Sequence, residues 1–301
     1  MSIQLAKALT LEIGGLNQPV VTLYEISVII YKLYQVGSYK REQLANLEKI
    51  RASRSDWTRI VRNLMQLGIL EESRSVRHSA VFNVLGREQG PPNEIACSID
   101  PFAYISHLSA MEWHGLTDRI GRTLFYSSPP PRKWRQFAWE KMQKDVGIDY
   151  IQDYLTENLP RLKRINPKKI GRSPVHRYLS DHLGAFTSVQ GRCLRVSTIG
   201  RTFLDMLREP DLCGGIYDVL DVYDRHGPRY QKLIVDEIDR HGRKIDKVRA
   251  GYILEERIGL SEPRIDEWSK FVQRGGSRKL HAKSPYSTDH SEKWYLSINI
   301  E

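Results

Sequence analysis

The stretch S-R-S-D-W-T-R-I-V-R-N-L-M-Q-L-G-I-L-E-E, residues 53–72, decides how the chain is read. Ser53 followed three residues later by Asp56 is a capping-box signature, in which each side chain satisfies a backbone N–H at the start of a helix. Trp57, Ile60, Val61, Leu64 and Leu67 then recur on one stripe, and Gly68 ends the helix before an extended run begins at Ile69. The opposite face carries Arg54, Ser55, Thr58, Arg59, Arg62, Asn63 and Gln66. This set suits a duplex. Arginine pairs bidentately with guanine, Asn and Gln with adenine, and Ser or Thr with phosphate.

Working outward, Leu23, Ile26, Ile30, Leu33 and Tyr34 recur at helical spacing and predict a first helix over residues 22–35. G-S-Y-K at 37–40 breaks it, and K-R-E-Q-L-A-N-L-E-K-I (40–50) predicts a second helix from Arg41 to Leu47. Downstream, R-S-V-R-H-S-A-V-F-N-V (74–84) has a polar, basic tip and a second extended run. Three helices followed by a hairpin make a winged helix-turn-helix, an architecture whose recognition helix enters the major groove. Between residues 40 and 62 seven basic residues face three acidic ones. Lys40 and Arg41 are candidates for the DNA backbone, and Arg74, Arg77 and His78 lie on the wing. Two other readings of this segment stay open: a solvated Arg-rich helix face, and a winged helix that binds protein.

At 301 residues the chain has room for two domains. The turn formers of G-R-E-Q-G-P-P-N (86–93) suggest a boundary, with a leader and winged helix over 1–90 and a larger mixed domain over 91–301. The expected class is α+β. In the second part 104–113, 202–207, 216–225, 230–241 and 247–258 read as helices, and 122–128, 192–198 and K-W-Y-L-S-I-N-I (293–300) as strands. A second basic patch, R-L-K-R-I-N-P-K-K-I-G-R-S-P-V-H-R (161–177), holds seven basic residues and no acidic one, including Arg161, Lys163, Arg164, Lys168, Lys169 and Arg172. Pro167 and Pro174 exclude a single regular helix there. It suits a phosphate backbone, an acidic protein or plain solvent.

The net charge of +10 and pI near 9.4 favour a polyanionic partner. Cys97, Cys193 and Cys213 are widely spaced with no CxxC pair, which argues against a disulfide framework or a zinc site and for a reducing cytoplasm. The N-terminal apolar stretch is broken by Lys7 and Glu12, unlike a signal peptide. The apolar run from Val20 to Tyr31 contains Glu25 and is too short to span a bilayer, so no membrane partner is expected.

Four later segments resemble the AbiEi-type antitoxins, which are also transcriptional regulators: C-S-I-D-P-F-A-Y-I-S-H-L-S-A-M-E-W-H-G-L-T-D (97–118), R-V-S-T-I-G-R-T-F-L-D-M-L-R-E-P (195–210), K-V-R-A-G-Y-I-L-E-E-R-I-G-L (247–260) and R-G-G-S-R-K-L (274–280). Each is short and mostly apolar. Their order and spacing carry the likeness, which with the winged helix spans nearly everything after residue 20. The resemblance implies a cytoplasmic antitoxin encoded beside a nucleotidyltransferase-like toxin, in an abortive-infection type of phage defence. Its N-terminal domain would bind inverted repeats in its own promoter as an autorepressor, and its C-terminal domain would oppose the toxin, with or without direct contact. One departure concerns the wing, where many relatives carry an R-G-x-Y-like turn and this chain has R-S-V-R-H-S-A-V-F. Within the shared segments, Tyr104, Ile105, Leu108 and Met111 read as a buried helical face and Gly115 as a helix cap. Arg201, Thr202 and Asp205 read as the opening of a helix whose Leu204 and Leu207 are core.

Enzymatic readings fare worse. A nucleotidyltransferase needs a Gly-Ser turn and then two carboxylates alternating on a strand to hold metals. Gly276-Ser277 is followed by Asp289, His290, Ser291 and Glu292, which do not alternate. Asp236, Glu237, Asp239 and His241 form the densest cluster for a nuclease, but in a helical pattern with no E-x-K strand beside it. A nuclease-type defence effector is the alternative function. His107 and His114 lack a third metal ligand in reach, and there is no phosphate-binding glycine loop or nucleophile elbow. No catalytic residue, metal or cofactor is expected.

Overall fold

The computed structural model describes residues 2–45, 47, 49–84, 86, 90–182, 184–273 and 278–300. The chain is mixed α/β and divides into two compact units that interleave along the sequence. The first comprises Met1–Tyr104, Ser127–Leu183 and Ser188–Arg195, and the second Ile105–Tyr126, Gly184–Thr187 and Val196–Glu301. A single cut near residue 90, as the turn-rich 86–93 segment suggests, is therefore replaced by a chain that leaves the first unit and returns to it. Leu85, Arg87, Glu88 and Gln89 of that region lie outside the described residues.

The first unit opens with β1 (Ser2–Ile3), α1 (Leu5–Gly14), β2 (Val20–Thr22) and α2 (Leu23–Val36). The expected leader thus contains a helix, held because Ala8, Leu9 and Ile13 bury its one apolar face. Thr22 caps α2 in a reciprocal capping box with Glu25, and Gly37 closes it at φ 66°, a left-handed conformation that glycine adopts without steric cost. Next come β3 (Ser38–Tyr39), β4 (Glu42–Leu44) and α3 (Arg54–Gln66), then β5 (Leu70–Glu72) and β6 (Val81–Val84).

The helix predicted over 41–47 is a correction: Glu42–Leu44 is instead the second arm of a β3–β4 hairpin with Lys40 and Arg41 at its tip. Seven residues are too few for a helix to stand on propensity alone. The alternation that buries Tyr39 and Leu44 finds a ladder partner in β1, which pairs parallel with β4 through Ile3 and Leu44.

The three strands β2, β6 and β5 form one sheet in that order, antiparallel throughout, with Val21 opposite Phe82 and Glu72 opposite Phe82 on its other side. After α4 (Pro92–Ile99), and beyond the excursion into the second unit, the first unit continues with α6 (Pro131–Val146), α7 (Ile151–Thr156), β9 (Lys169–Ile170) and β10 (Ser173–Leu179). Its core gathers α1, α2 and α3 with Met142, Val146, Ile151, Tyr154 and Leu159. The rings of Tyr31 and Tyr154 meet edge to face at 5.2 Å.

The second unit contains α5 (His107–Trp113), α8 (Ile199–Arg208), α9 (Ile216–His241), α10 (Lys244–Gly251), α11 (Pro263–Trp268) and the hairpin β13 (His290–Ser291) with β14 (Leu296–Ser297). Four strands lie where the units meet along the sequence: β7 (Tyr104–Ile105), β8 (Leu124–Ser128), β11 (Phe186–Ser188) and β12 (Arg195–Ser197).

Several helix limits differ from expectation. Tyr104 and Ile105 are strand, and the helix begins at His107 with Ser106 extended before it. Residues 216–225 and 230–241 belong to one helix running through Gly227-Pro228. The segment after Gly251 is π-helical from Tyr252 to Arg257. The terminal strand shrinks to Leu296–Ser297. The second core centres on α8 against α9, where Phe203 and Tyr223 meet edge to face at 4.8 Å and the Tyr223 hydroxyl donates to the Phe203 carbonyl at 2.9 Å. No helix among the described residues is long and apolar enough to cross a membrane.

Candidate nucleic-acid interface

Helix α3 forms where the capping box places it. Asp56 N donates to Ser53 Oγ at 3.2 Å, and Asp56 Oδ2 accepts from Ser53 N at 3.2 Å and from Ser53 Oγ at 2.7 Å. Lys49 and Arg59 also reach this carboxylate, each at 3.3 Å. Burial would raise the Asp56 pKa, but the Ser53 hydrogen bonds and Lys49 outweigh it and hold the carboxyl below its ordinary value. Trp57, Ile60, Val61 and Leu64 are buried, whereas Leu67, expected on the same stripe, is 58% exposed. Leu67 follows the last helical residue and has left the stripe.

The opposite face is turned to solvent. Arg54, Ser55, Arg59, Arg62, Asn63 and Gln66 are exposed and Thr58 is half-buried. The Arg59 side chain keeps 75% of its surface while touching Asp56. Ser55 and Thr58 are held locally: their hydroxyls lie 2.8 Å from Ser53 Oγ and 2.9 Å from the Arg54 carbonyl. Arg59, Arg62, Asn63 and Gln66 line one shallow groove with Leu5 and Ala6 at the start of α1.

Arg54 takes another direction. Its guanidinium stacks over the Trp57 ring at 4.4 Å and donates to the Asn158 carbonyl at 3.2 Å. There it enters a cleft of about 800 Å³, walled by Trp57, by His78 and Ala80 of the β5–β6 loop, and by residues 158–165. Arg161, Lys163 and Arg164 come from that last segment, and among the described residues no acidic one lines the cleft. Trp57 is 7% exposed, and its indole N–H has no hydrogen-bond acceptor among the described residues.

The 158–165 segment is irregular yet fixed. Leu159 and Ile165 are buried, the Tyr154 hydroxyl donates to the Pro160 carbonyl at 2.6 Å, and Arg54 holds Asn158. Arg164 is committed to the protein interior: it donates to Ser128 Oγ at 2.8 Å and to the Pro129 carbonyl, and lies over Trp134 at 5.2 Å. Ser128 and Trp134 in turn donate to the buried carboxylate of Asp100 at 2.6 and 2.9 Å. Of the second-patch candidates, Arg164 is therefore a structural brace, while Arg161, Lys163, Lys168, Lys169 and Arg172 are turned outward, fully or in part.

The β5–β6 loop is shaped by Arg77 N donating to Ser73 O and Val81 N to His78 O, both at 2.9 Å. Arg74, Arg77 and His78 are exposed on it, and Ala80 N donates to His78 Nδ1 at 3.1 Å. Arg77 adopts φ 52°. The β9–β10 turn reaches this loop, Gly171 N donating to Ser75 O at 2.8 Å. Lys40 and Arg41 stand apart. They sit at the β3–β4 tip with φ 45° and 75°, and Lys40 lines a groove with Glu12, Lys32 and Tyr39 beside α1 and α2. The structure thus gathers Arg54, His78, Arg161 and Lys163 around one cleft and leaves Lys40 outside it. Nothing in the spacing of Asn158–Ile165 signals its place beside Trp57, about a hundred residues earlier in the chain.

In the second unit, Asp236, Asp239, His107, His114, Arg201 and Asp205 have structural partners. Asp236 meets Arg264, and Asp239 accepts from Lys247 and from the Trp268 indole at 3.0 Å each. Hydrogen bonds from these partners hold both carboxyls below their usual range. His107 is fully buried with its Nδ1 2.8 Å from Ser106 Oγ, and His114 Nε2 lies 2.7 Å from the Ser197 carbonyl. Arg201 and Asp205 form a buried ion pair at 2.8 Å, with Thr202 buried between them. Gly276 and Ser277, and with them the centre of the 274–280 segment, lie outside the described residues.

Charge divides sharply between the units. The first holds 26 Lys and Arg against 16 Asp and Glu, and the second 20 against 20. The whole formal excess of +10 therefore belongs to the first unit.

No family model and no curated protein matches the chain. Its fold is similar to the crystal structure of the RV2827C protein from Mycobacterium tuberculosis, with a TM-score of 0.51 over 97% of this chain and 90% of that one. At 11% identity the likeness is one of fold.

Proposed function

We propose that the first unit binds double-stranded DNA through a winged helix-turn-helix, with α3 as the recognition helix and β5–β6 as the wing. The observation that carries this reading is the exposed face of Ser55, Arg59, Arg62, Asn63 and Gln66, with Thr58 half-buried beside it, opposite a stripe that anchors α3 in the core. The β2-β6-β5 strand order, with helices before the hairpin, suits a winged helix, and the β3–β4 hairpin takes the place of the usual middle helix. The confinement of the +10 excess to this unit supports a polyanionic partner there.

Taken with the resemblance to AbiEi-type antitoxins, this makes the chain an autorepressor of its own operon and an antitoxin opposing a nucleotidyltransferase-like toxin. The inverted repeats of its own promoter are the proposed operator. The second unit, neutral and built around a separate core, is the candidate for the antitoxic role. Footprinting on the DNA upstream of its gene tests the repressor reading. Arg59→Ala with Arg62→Ala should cost ~1–3 kcal/mol at the operator for each base contact removed. Unchanged operator affinity in that double variant rules out the α3 face.

A further inference from the structure

We propose that the basic segment 161–172 is a phosphate clamp for the same duplex, gripping the sugar-phosphate backbone beside the α3 N-terminus and the wing. The inference rests on the DNA reading of the first unit and assigns a role to a patch that the sequence leaves open.

The structure brings this patch to α3 and the wing in two places. Arg161 and Lys163 enter the cleft that Arg54 and His78 also line. The β9–β10 turn, with Arg172 in it and Lys168 and Lys169 leading into it, is tied to the wing by the Gly171 to Ser75 hydrogen bond. The charges there are uncompensated: among the described residues no carboxylate pairs with Arg161, Lys163, Lys168, Lys169 or Arg172. Elsewhere in the same unit Arg51 is paired with Asp153 at 2.8 Å and Lys141 with Asp145 at 2.9 Å.

Concentrating unneutralised cations in a cleft is electrostatically costly and suits an anion that completes it. The segment is held in place by Leu159, Ile165 and the Arg164 brace, so its cations meet a backbone without first ordering a loop.

The test is the salt dependence of duplex binding by the full chain. Removing one phosphate interaction should flatten the slope of log K against log salt concentration by about 0.9. Arg161→Ala with Lys163→Ala, and separately Lys168→Ala with Lys169→Ala and Arg172→Ala, alter side chains outside the core. The double variant should flatten the slope by up to about 1.8 and the triple by up to about 2.7, and each should weaken operator and random duplex alike, by roughly tenfold or more at moderate salt. Arg59→Ala with Arg62→Ala should instead narrow the preference for the operator.

A wild-type slope in both clamp variants, alongside a weakened Arg59/Arg62 variant, overturns the clamp and leaves the DNA reading intact. Absence of any duplex binding by the wild-type protein overturns both. If inorganic phosphate moves the Trp57 indole resonance (identified by its loss in Trp57→Phe) while the slopes stay at wild type, the cleft holds a free anion and the clamp is again overturned.

Discussion

Asp56 joins local structure to stability and to the proposed interface. Its carboxylate closes the capping box, complements the positive end of the α3 dipole and collects Lys49 and Arg59. Because its folded pKa lies below its unfolded value of about 3.9, its contribution is present above that value and is lost as pH falls through the lower folded one. Asp56→Ala should therefore cost ~1 kcal/mol at neutral pH. The gap to wild type should close below about pH 4. Denaturant titrations of both proteins across pH 3–7 check this, and a gap that stays constant with pH would refute it. Arg201 and Asp205 are the reverse case. A polar pair at the start of a helix looks like a site in a sequence, but here it is buried within the protein.

At the scale of elements, the β3–β4 hairpin shows where periodicity misleads. Lys40 and Arg41 both take positive φ, the conformation of a two-residue type I′ turn, in which Asn-Gly is the favoured pair. Side chains there cost ~1–2 kcal/mol each in left-handed strain. Lys40→Asn with Arg41→Gly should accordingly raise stability by ~1 kcal/mol or more. If Lys40 also touches the DNA backbone, the same change should weaken all duplexes alike and flatten their salt dependence. Thermal melts and binding titrations on one preparation give both readouts. A less stable variant would show that the turn is not strained. Helix α9 is the opposite case. Pro228 costs a helix interior ~3 kcal/mol, and a sequence reading stops there. The helix continues because buried residues anchor both halves, Val219 to Tyr223 before the proline and Ile234 to Ile238 after it.

For the whole molecule, the two units differ in charge and in core, and the proposal puts DNA binding in the first. Gly251 offers a separation of the two. A Cβ added there would lie 2.1 Å from the ring of Trp294, which is fully buried in the second core. Gly251→Ala should destabilise the second unit by ~1–3 kcal/mol through overpacking. Operator affinity well below the melting temperature should stay at its wild-type value. Loss of DNA binding in a folded Gly251→Ala protein would contradict placing that function in the first unit alone.

The sequence by itself determined helix α3, its cap and its outward face, because a capping box and an amphipathic stripe are interactions within four residues of one another. It determined the excess of positive charge too, but not where that charge sits. The interleaving that collects it into one unit depends on the chain leaving at Tyr104 and returning at Ser127. Only the tertiary structure decided that Gln43 and Leu44 pair with β1, that Arg164 turns inward, and that 158–165 faces Trp57. Each of these joins segments far apart in the chain. Such pairings are selected by the burial of Leu44 and Leu159 in a shared core, which no periodicity within one segment encodes.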